Sequence, residues 1–362
     1  MSDLKELREG ISAIDREMAQ LFEKRMKLCE EVGQYKKENS IPVRDAAREA
    51  ELIKKGKELI ADKDLRPYYE DYQKKLMEIS CSLQEKLISG MKPAYSGVPG
   101  AYAYIATRRL FPSCEPYPYP NFDQAFKAAQ NGEVDCVVLP LENSYAGEVG
   151  AVMDLLYSGR LYVNRVLSLD IEHYLLGLPD ADRKKIKTVI SHPQALAQCD
   201  EFIKQHGYKT IEGTNTAAAG KYVKETGDPT IAAIASEETA EIFGLEVLER
   251  KIYTSKDNAT RFGVFTRELQ LPDAEAPDAG HGFIMVFTVP NEAGSLAMTL
   301  DIIGSHGFNM RSLRSRPMKG LSWSYYFYVE GEGNIASENG QDMLQELSAV
   351  CGEIRLVGAF DI

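Results

Sequence analysis

At 362 residues, with 42 basic side chains against 54 acidic ones, the chain has room for two or three domains and carries a net charge of −12. That acidic surplus argues against nucleic acid as a partner, because phosphate binding needs a basic footprint, and no apolar run has the length of a membrane span or the form of a signal peptide. Six cysteines without C-x-x-C spacing and five scattered histidines suggest neither a disulfide framework nor a metal site, so a cytoplasmic chain with reduced thiols and no cofactor is expected.

Residues 1–90 hold only four of the 28 glycines and two of the 16 prolines, and 37 of their side chains are charged, which predicts helices. From residue 4 to 38 a heptad is sustained. Leu4, Ile11, Met18 and Val32 fill one seam position; Leu7, Ile14, Leu21, Leu28 and Tyr35 fill the other. Arg25 interrupts the first seam. Lys36 follows eleven residues later, about three turns on, and faces nearly the same way. A charge among apolar neighbours is costly unless an opposite charge meets it. Either a partner carboxylate or escape to water relieves these cations, or they line a pocket for a small anion.

The break at Ile41-Pro42 ends this helix. A second is predicted over 43–62, with Asp45, Arg48, Glu49 and Leu52 on one face at i, i+3, i+4 and i+7. A third is predicted over 64–88, capped by Asp64 with Pro67 in its first turn. It sets Ser80 and Gln84 among Leu76, Leu83 and Leu87, so two neutral polar groups look inward. Arg8 lies seventeen residues before Arg25, roughly 100° around the helix. It reaches such a pocket only in a second copy packed antiparallel, and three elongated helices enclose little core alone. Both observations point to an intertwined dimer.

In order and spacing, Arg8, Arg25, Lys36, Arg44-Asp45, Arg48-Glu49, Ser80 and Gln84 resemble the all-helical chorismate mutases. The resemblance covers residues 1–90 and implies a domain-crossed helical dimer that rearranges chorismate to prephenate without nucleophile or cofactor. It implies that Arg25 and the second copy's Arg8 clamp the two carboxylates. Lys36 and Gln84 then hydrogen-bond the ether oxygen, Asp45 and Glu49 hold the hydroxyl, and Arg48 and Ser80 complete the wall.

From Lys92 onward short apolar runs alternate with helical stretches. Strands are predicted at 94–95, 136–139, 161–166, 188–190, 230–234 and 263–266, an α/β pattern whose ligand sits at the carboxyl ends of the strands. Four polar strings fall at strand ends: Pro140-Leu141-Glu142-Asn143-Ser144, Ser191-His192-Pro193-Gln194, Thr214-Asn215-Thr216 and Asn258-Ala259-Thr260-Arg261-Phe262. Each alone reads as capping or turn chemistry. Four in one domain predict a cleft whose helix starts favour anions.

These strings resemble prephenate dehydratase. The family's Gly-Pro-x-Gly-x-Tyr-Ser stretch is degraded here to Gly97-Val98-Pro99-Gly100-Ala101-Tyr102-Ala103, which puts substrate contacts from that loop in doubt. The resemblance implies a two-lobed, periplasmic-binding-like domain over 92–270, with the lobes joined near 170–176 and 252–258. The implied reaction couples loss of carbon dioxide to loss of the ring hydroxyl and yields phenylpyruvate. On that pattern Thr260 donates to the departing hydroxyl. Asn143, Ser191, Gln194, Thr216 and Phe262 orient the substrate, Arg261 pairs with a carboxylate, and Glu142 either positions Asn143 or moves protons.

Residues 271–280 form a polar, proline-bearing linker. Beyond it, over 281–362, strands at 283–289, 310–316, 323–330 and 354–360 and helices at 295–306 and 342–350 give the order βαββαβ, which resembles the ACT domain, an α+β module that binds amino acids at its dimer interface. Pro290-Asn291-Glu292-Ala293-Gly294-Ser295-Leu296 matches the loop that seats phenylalanine in such domains, so Asn291, Ala293, Gly294, Ser295, Leu296 and Asn309 are the expected effector contacts. Where the motif expects Glu-Ser-Arg-Pro the chain has Arg314-Ser315-Arg316-Pro317, which leaves the strength and direction of feedback open.

The three resemblances, in this order, are those of the bifunctional chorismate mutase/prephenate dehydratase family with its regulatory domain. They imply small-molecule substrates, chorismate and prephenate, phenylalanine as effector, a homodimer or higher homo-oligomer, and neither nucleic acid nor membrane as partner. Two rivals remain. One is a ligand-responsive DNA-binding regulator; the other is a mutase whose later domains only sense ligands.

Overall fold

The computed structural model describes residues 4–39, 41, 43, 45–254, 258–318 and 323–362. Pro42, Arg44 and residues 255–257 of the second predicted crossing lie outside them. The chain divides into two compact units, Met1–Lys92 and Pro93–Ile362. Among the described residues no helix is long and apolar enough to cross a membrane.

The first unit is three helices: α1 (Leu4–Glu38), α2 (Ala46–Leu59) and α3 (Arg66–Ser89). α1 runs as far as its heptad. α2 starts three residues later than the periodicity predicts because Asp45 is its cap, accepting from the Arg48 backbone N–H at 3.0 Å. α3 starts at Arg66 with Pro67 in its first turn. Asp64 does not cap it; its N–H closes a local turn onto Asp62 Oδ1 at 2.9 Å. α1 and α3 approach closely at the buried Gly33, where an added Cβ would stand 3.2 Å from Gln84 Cγ and 3.3 Å from Leu87 Cδ1. On α1 the seam residues Leu4, Leu7, Ile11, Ile14, Leu21 and Leu28 are each more than half exposed. This chain does not cover its own heptad.

The second unit opens with a lobe of β1 (Pro93–Ser96), α4 (Tyr102–Leu110), β2 (Tyr117–Tyr119), α5 (Phe122–Asn131), β3 (Cys136–Asn143), β4 (Gly147–Glu148), α6 (Gly150–Ser158) and β5 (Tyr162–Asp170). A second lobe follows with β6 (Tyr174–Gly177), β7 (Thr188–Ser191), α7 (Pro193–Gln198), α8 (Asp200–His206), β8 (Lys209–Glu212), α9 (Thr216–Thr226), β9 (Ile231–Ala235), α10 (Glu237–Phe243) and β10 (Glu246–Glu249). β11 (Ala259–Thr266) returns to the first lobe between β3 and β5, antiparallel to both. The two crossings therefore fall where the sequence places them. In the second lobe the strand order is β10-β6-β9-β7-β8.

β3 and β11 are longer than predicted. Glu142-Asn143 and Ala259 to Phe262, expected in loops, lie on strands because they pair with each other: Thr260 stands opposite Asn143 and Arg261 opposite Glu142. Val137, Val138 and Leu139 in succession are fully buried, as for a strand covered on both faces.

The C-terminal module is β12 (His281–Phe287), α11 (Ser295–Ser305), β13 (Asn309–Pro317), β14 (Tyr325–Glu332), α12 (Glu338–Val350) and β15 (Ile354–Asp361). Its strands lie in the order β13-β14-β12-β15, and β15 continues the sheet onto β5 through the parallel pair Gly358 and Val163. A Cβ on Gly358 would meet Val163 at 3.0 Å, so a larger residue at this junction would crowd the neighbouring strand. The predicted linker is not slack. The buried Asn334 donates to the Asp273 carbonyl at 2.7 Å and the Ala276 carbonyl at 2.9 Å, and its N–H meets Asp278 Oδ1 at 3.1 Å.

Candidate functional site

In the helical unit, α1 and α3 bring Arg25 onto Ser80: the guanidinium donates to Ser80 Oγ and lies 3.8 Å from Cys29 Sγ. Ser80 in turn donates to the Leu76 carbonyl at 2.7 Å, so a lone pair faces Arg25. One turn on, Gln84 is buried and its Oε1 has no hydrogen-bond partner among the described residues. A buried acceptor left unmade is expensive. Lys36 donates to the Val43 carbonyl at 2.6 Å. Glu49 lies beside the Ser80 turn, 3.9 Å from Cys81 Sγ. Among the described residues neither Arg25 nor Lys36 meets a carboxylate.

The remaining predicted members stand apart. Asp45 is occupied as the α2 cap, and Arg48 turns outward to Glu51 at 2.7 Å. Arg8 is exposed on α1, about 25 Å along the axis from Arg25. Arg44 lies outside the described residues.

In the second unit three of the four polar strings meet between the lobes. Asn143 Nδ2 faces Thr260 Oγ1 at 2.9 Å, Asn258 Oδ1 at 2.9 Å and the Ala259 carbonyl at 3.1 Å. Its Oδ1 accepts from the N–H groups of Tyr145 at 3.0 Å and Ala146 at 2.9 Å, and from Gln194 Nε2 at 3.3 Å across the cleft. Two backbone donors on Oδ1 fix the orientation of the amide. Thr260 therefore accepts a hydrogen bond from Asn143 and keeps its own proton to give.

The network runs deeper than the sequence suggested. Gln198 Oε1 accepts from Asn258 Nδ2 at 3.0 Å and from His173 Nε2 at 2.6 Å; the His173 Nδ1 faces Tyr102 Oη at 3.3 Å. Burial holds the His173 imidazole below its ordinary pKa, against the opposing Gln198 hydrogen bond, so it sits neutral with its proton on Nε2. Burial also pushes the Cys199 thiol up to about 12, an inert side chain. Asn258 stands in one of the four polar strings without a role assigned to it; Gln198 and His173 stand in none, although Gln198 is four residues after Gln194 on one helix face.

Other predicted residues are placed otherwise. Ser191 is fully buried and its hydroxyl ties β7 to β9 by donating to the Ile234 carbonyl at 2.5 Å. Thr216 begins α9 behind the Asn215 cap, and both Thr216 and Phe262 are buried. The loop at Gly97 to Ala103 docks on the second lobe, Thr239 donating to the Gly100 carbonyl at 3.2 Å. Arg261, expected to hold a substrate carboxylate, instead grips the buried Glu330 of β14 with both Nη atoms, at 2.9 and 2.7 Å. The reason is alternation: one residue on from Thr260, a strand side chain points to the opposite face.

In the C-terminal module Gly294 has φ 90° and caps α11 without a side chain. Asn291 and Leu296 line an open pocket of about 810 Å³ with Trp323 and Phe327. Asn309 donates to Glu332 Oε2 at 2.8 Å, away from that lining. Arg314 reaches Glu142 and Glu148, each at 3.5 Å.

A family model for prephenate dehydratase matches residues 94–270, and one for chorismate mutase type II matches residues 7–85. A bifunctional chorismate mutase/prephenate dehydratase of Enterobacter agglomerans is 32% identical over 98% of this chain and 95% of its own length. The chain belongs to the bifunctional chorismate mutase/prephenate dehydratase family. As a member it is both an isomerase and a carbon-oxygen lyase, taking chorismate through prephenate to phenylpyruvate. Among solved structures, a prephenate dehydratase from Arthrobacter aurescens in complex with L-Phe is 27% identical with a TM-score of 0.69, over 75% of this chain and 90% of that one. A protein described as a novel type of quorum quenching acylase, GqqA, is 30% identical with the same TM-score, over 74% of this chain and 97% of that one.

Proposed function

We propose that each reaction has its own site: the mutase site is completed between two copies of the helical unit, and the dehydratase site is the Asn143–Thr260 pair between the lobes. For the first, the support is that Arg25 and Lys36 meet no carboxylate among the described residues, beside an α1 seam that this chain leaves exposed. Arg25 and Arg8 of a second copy grip the carboxylates of chorismate, while Lys36 and Gln84 stabilise charge on the breaking ether oxygen. Glu49 lies toward the ring hydroxyl and Ser80 at the wall; Asp45 and Arg48, held in the α2 cap and on Glu51, join them only by leaving those partners.

For the dehydratase, the observation that carries the reading is the Asn143 hydrogen bond accepted by Thr260. It spends a lone pair of the threonine oxygen and leaves the O–H available to donate. When the carbon-carboxylate bond breaks, its electrons enter the ring and expel the hydroxyl with the pair of the C–O bond. Thr260 donates to that departing oxygen, and aromatisation supplies the driving force. Asn143, Gln194 and Thr216 orient the substrate; Gln198 and Asn258 hold Asn143.

The βαββαβ module acts as an ACT domain that binds phenylalanine near Asn291 to Leu296 and feeds back on the dehydratase. The L-Phe complex of the Arthrobacter relative supports that ligand. A cytoplasmic homodimer or larger homo-oligomer completes the reading.

Replacing Thr260 by Ala tests the separation of sites. Loss of one positioned donor costs about 10²- to 10³-fold in dehydratase kcat, with mutase activity unchanged. A variant that keeps full dehydratase activity removes Thr260 from the mechanism.

A further inference from the structure

We infer that the C-terminal module supplies a working part of the dehydratase site, with Arg314 acting as a positioning residue through Glu142. This rests on the reading of Asn143 and Thr260 as the reacting pair. The two rungs that join β3 to β11 are adjacent, Asn143 opposite Thr260 and Glu142 opposite Arg261. Side chains alternate along a strand, so the first rung faces the cleft and the second faces the module. There the second rung is held from both sides. Arg261 forks onto the buried Glu330 of β14 at 2.9 and 2.7 Å, and Arg314 of β13 lies 3.5 Å from both Glu142 and Glu148. Arg261 also stands 3.9 Å from Glu142, which closes an alternating chain of Glu330, Arg261, Glu142, Arg314 and Glu148.

Stability alone does not explain the chain, because an ion pair at a domain junction roughly breaks even against apolar packing of the same volume. What it does fix is register. Glu142 and Asn143 are consecutive on one strand, so a shift of the Glu142 carboxylate moves the Asn143 amide that orients Thr260. The reading also gives a task to an arginine that stands where the related motif carries an acid. A glutamate at 314 would face Glu142 and Glu148 with like charge. The β13–β14 pair thereby communicates with the cleft through side chains as well as through the shared sheet.

The test uses the full chain and reads both activities in one preparation, the mutase serving as a control of integrity. Arg314→Ala lowers dehydratase kcat about tenfold, the middle of the range for a residue acting through a contact network. The KM for prephenate stays within about twofold, since Arg314 does not touch substrate. Arg314→Lys, which keeps the charge without the fork, falls between the two. Because Arg314 acts through Glu142, Arg314→Ala combined with Glu142→Gln is no slower than Glu142→Gln alone. A dehydratase kcat unchanged in Arg314→Ala, a rise in KM alone, or losses that multiply in the double variant would each overturn the inference. Thr260→Ala run in parallel separates the two levels: its retention of activity sinks the reading of the reacting pair, whatever Arg314 does.

Discussion

His173 illustrates how much of the dehydratase site depends on a residue that never faces the cleft. It is one end of a buried relay through Gln198 and Asn258 to Asn143, and burial keeps it neutral. The folded-state pKa lies below the ordinary 6.5. The unfolded chain therefore takes up a proton below pH 6.5 that the folded chain refuses, and stability falls as pH drops through that point and is fully present above it. The cost reaches about 1.4 kcal/mol per pH unit until the folded-state pKa is passed. Comparing urea unfolding of the wild type and His173→Asn between pH 5 and 8 should show the steeper acid loss in the wild type. Equal slopes would mean that His173 is not buried neutral. Asn143, Gln194 and Thr260, each announced by a motif, are brought together by the fold. Gln198 and His173 belong to no motif, and their contact joins positions 25 apart in the chain. Arg261 was misassigned because periodicity says which side chains share a face but not which face meets the cleft.

At the level of elements, α1 was the most legible, because a heptad writes its length into the chain. The ends of β3 and β11 were the least, since they are set by pairing with each other rather than by local pattern. α1 also carries a prediction. Leu21 is 63% exposed in the single chain, and a lysine there is an ordinary surface change within about 0.5 kcal/mol if the seam faces water. If two copies pack along the seam, Leu21→Lys buries an unpaired charge, and the mutase rate drops by more than about 10²-fold while the dehydratase rate holds. A variant with full mutase activity would show that the seam is no interface of the mutase site.

On the scale of the whole molecule, three modules follow one another in sequence, yet the last two share a sheet. The stretch 271–280 looked like a spacer from its composition, and Asn334 pins it in place; neither this nor the Gly358–Val163 junction has a local sequence signal. The sheet continuity explains how a βαββαβ module without contact to substrate can bear on the cleft. The helical unit carries cations, Arg25 and Lys36, that meet no carboxylate among the described residues. Their meaning is tested most directly by giving purified chain chorismate alone and following the products. The expected course is consumption of chorismate, transient prephenate and phenylpyruvate at the end. Chorismate left untouched would contradict the anion-gripping role of Arg25 and Lys36, and prephenate as the final product would contradict the Thr260 site.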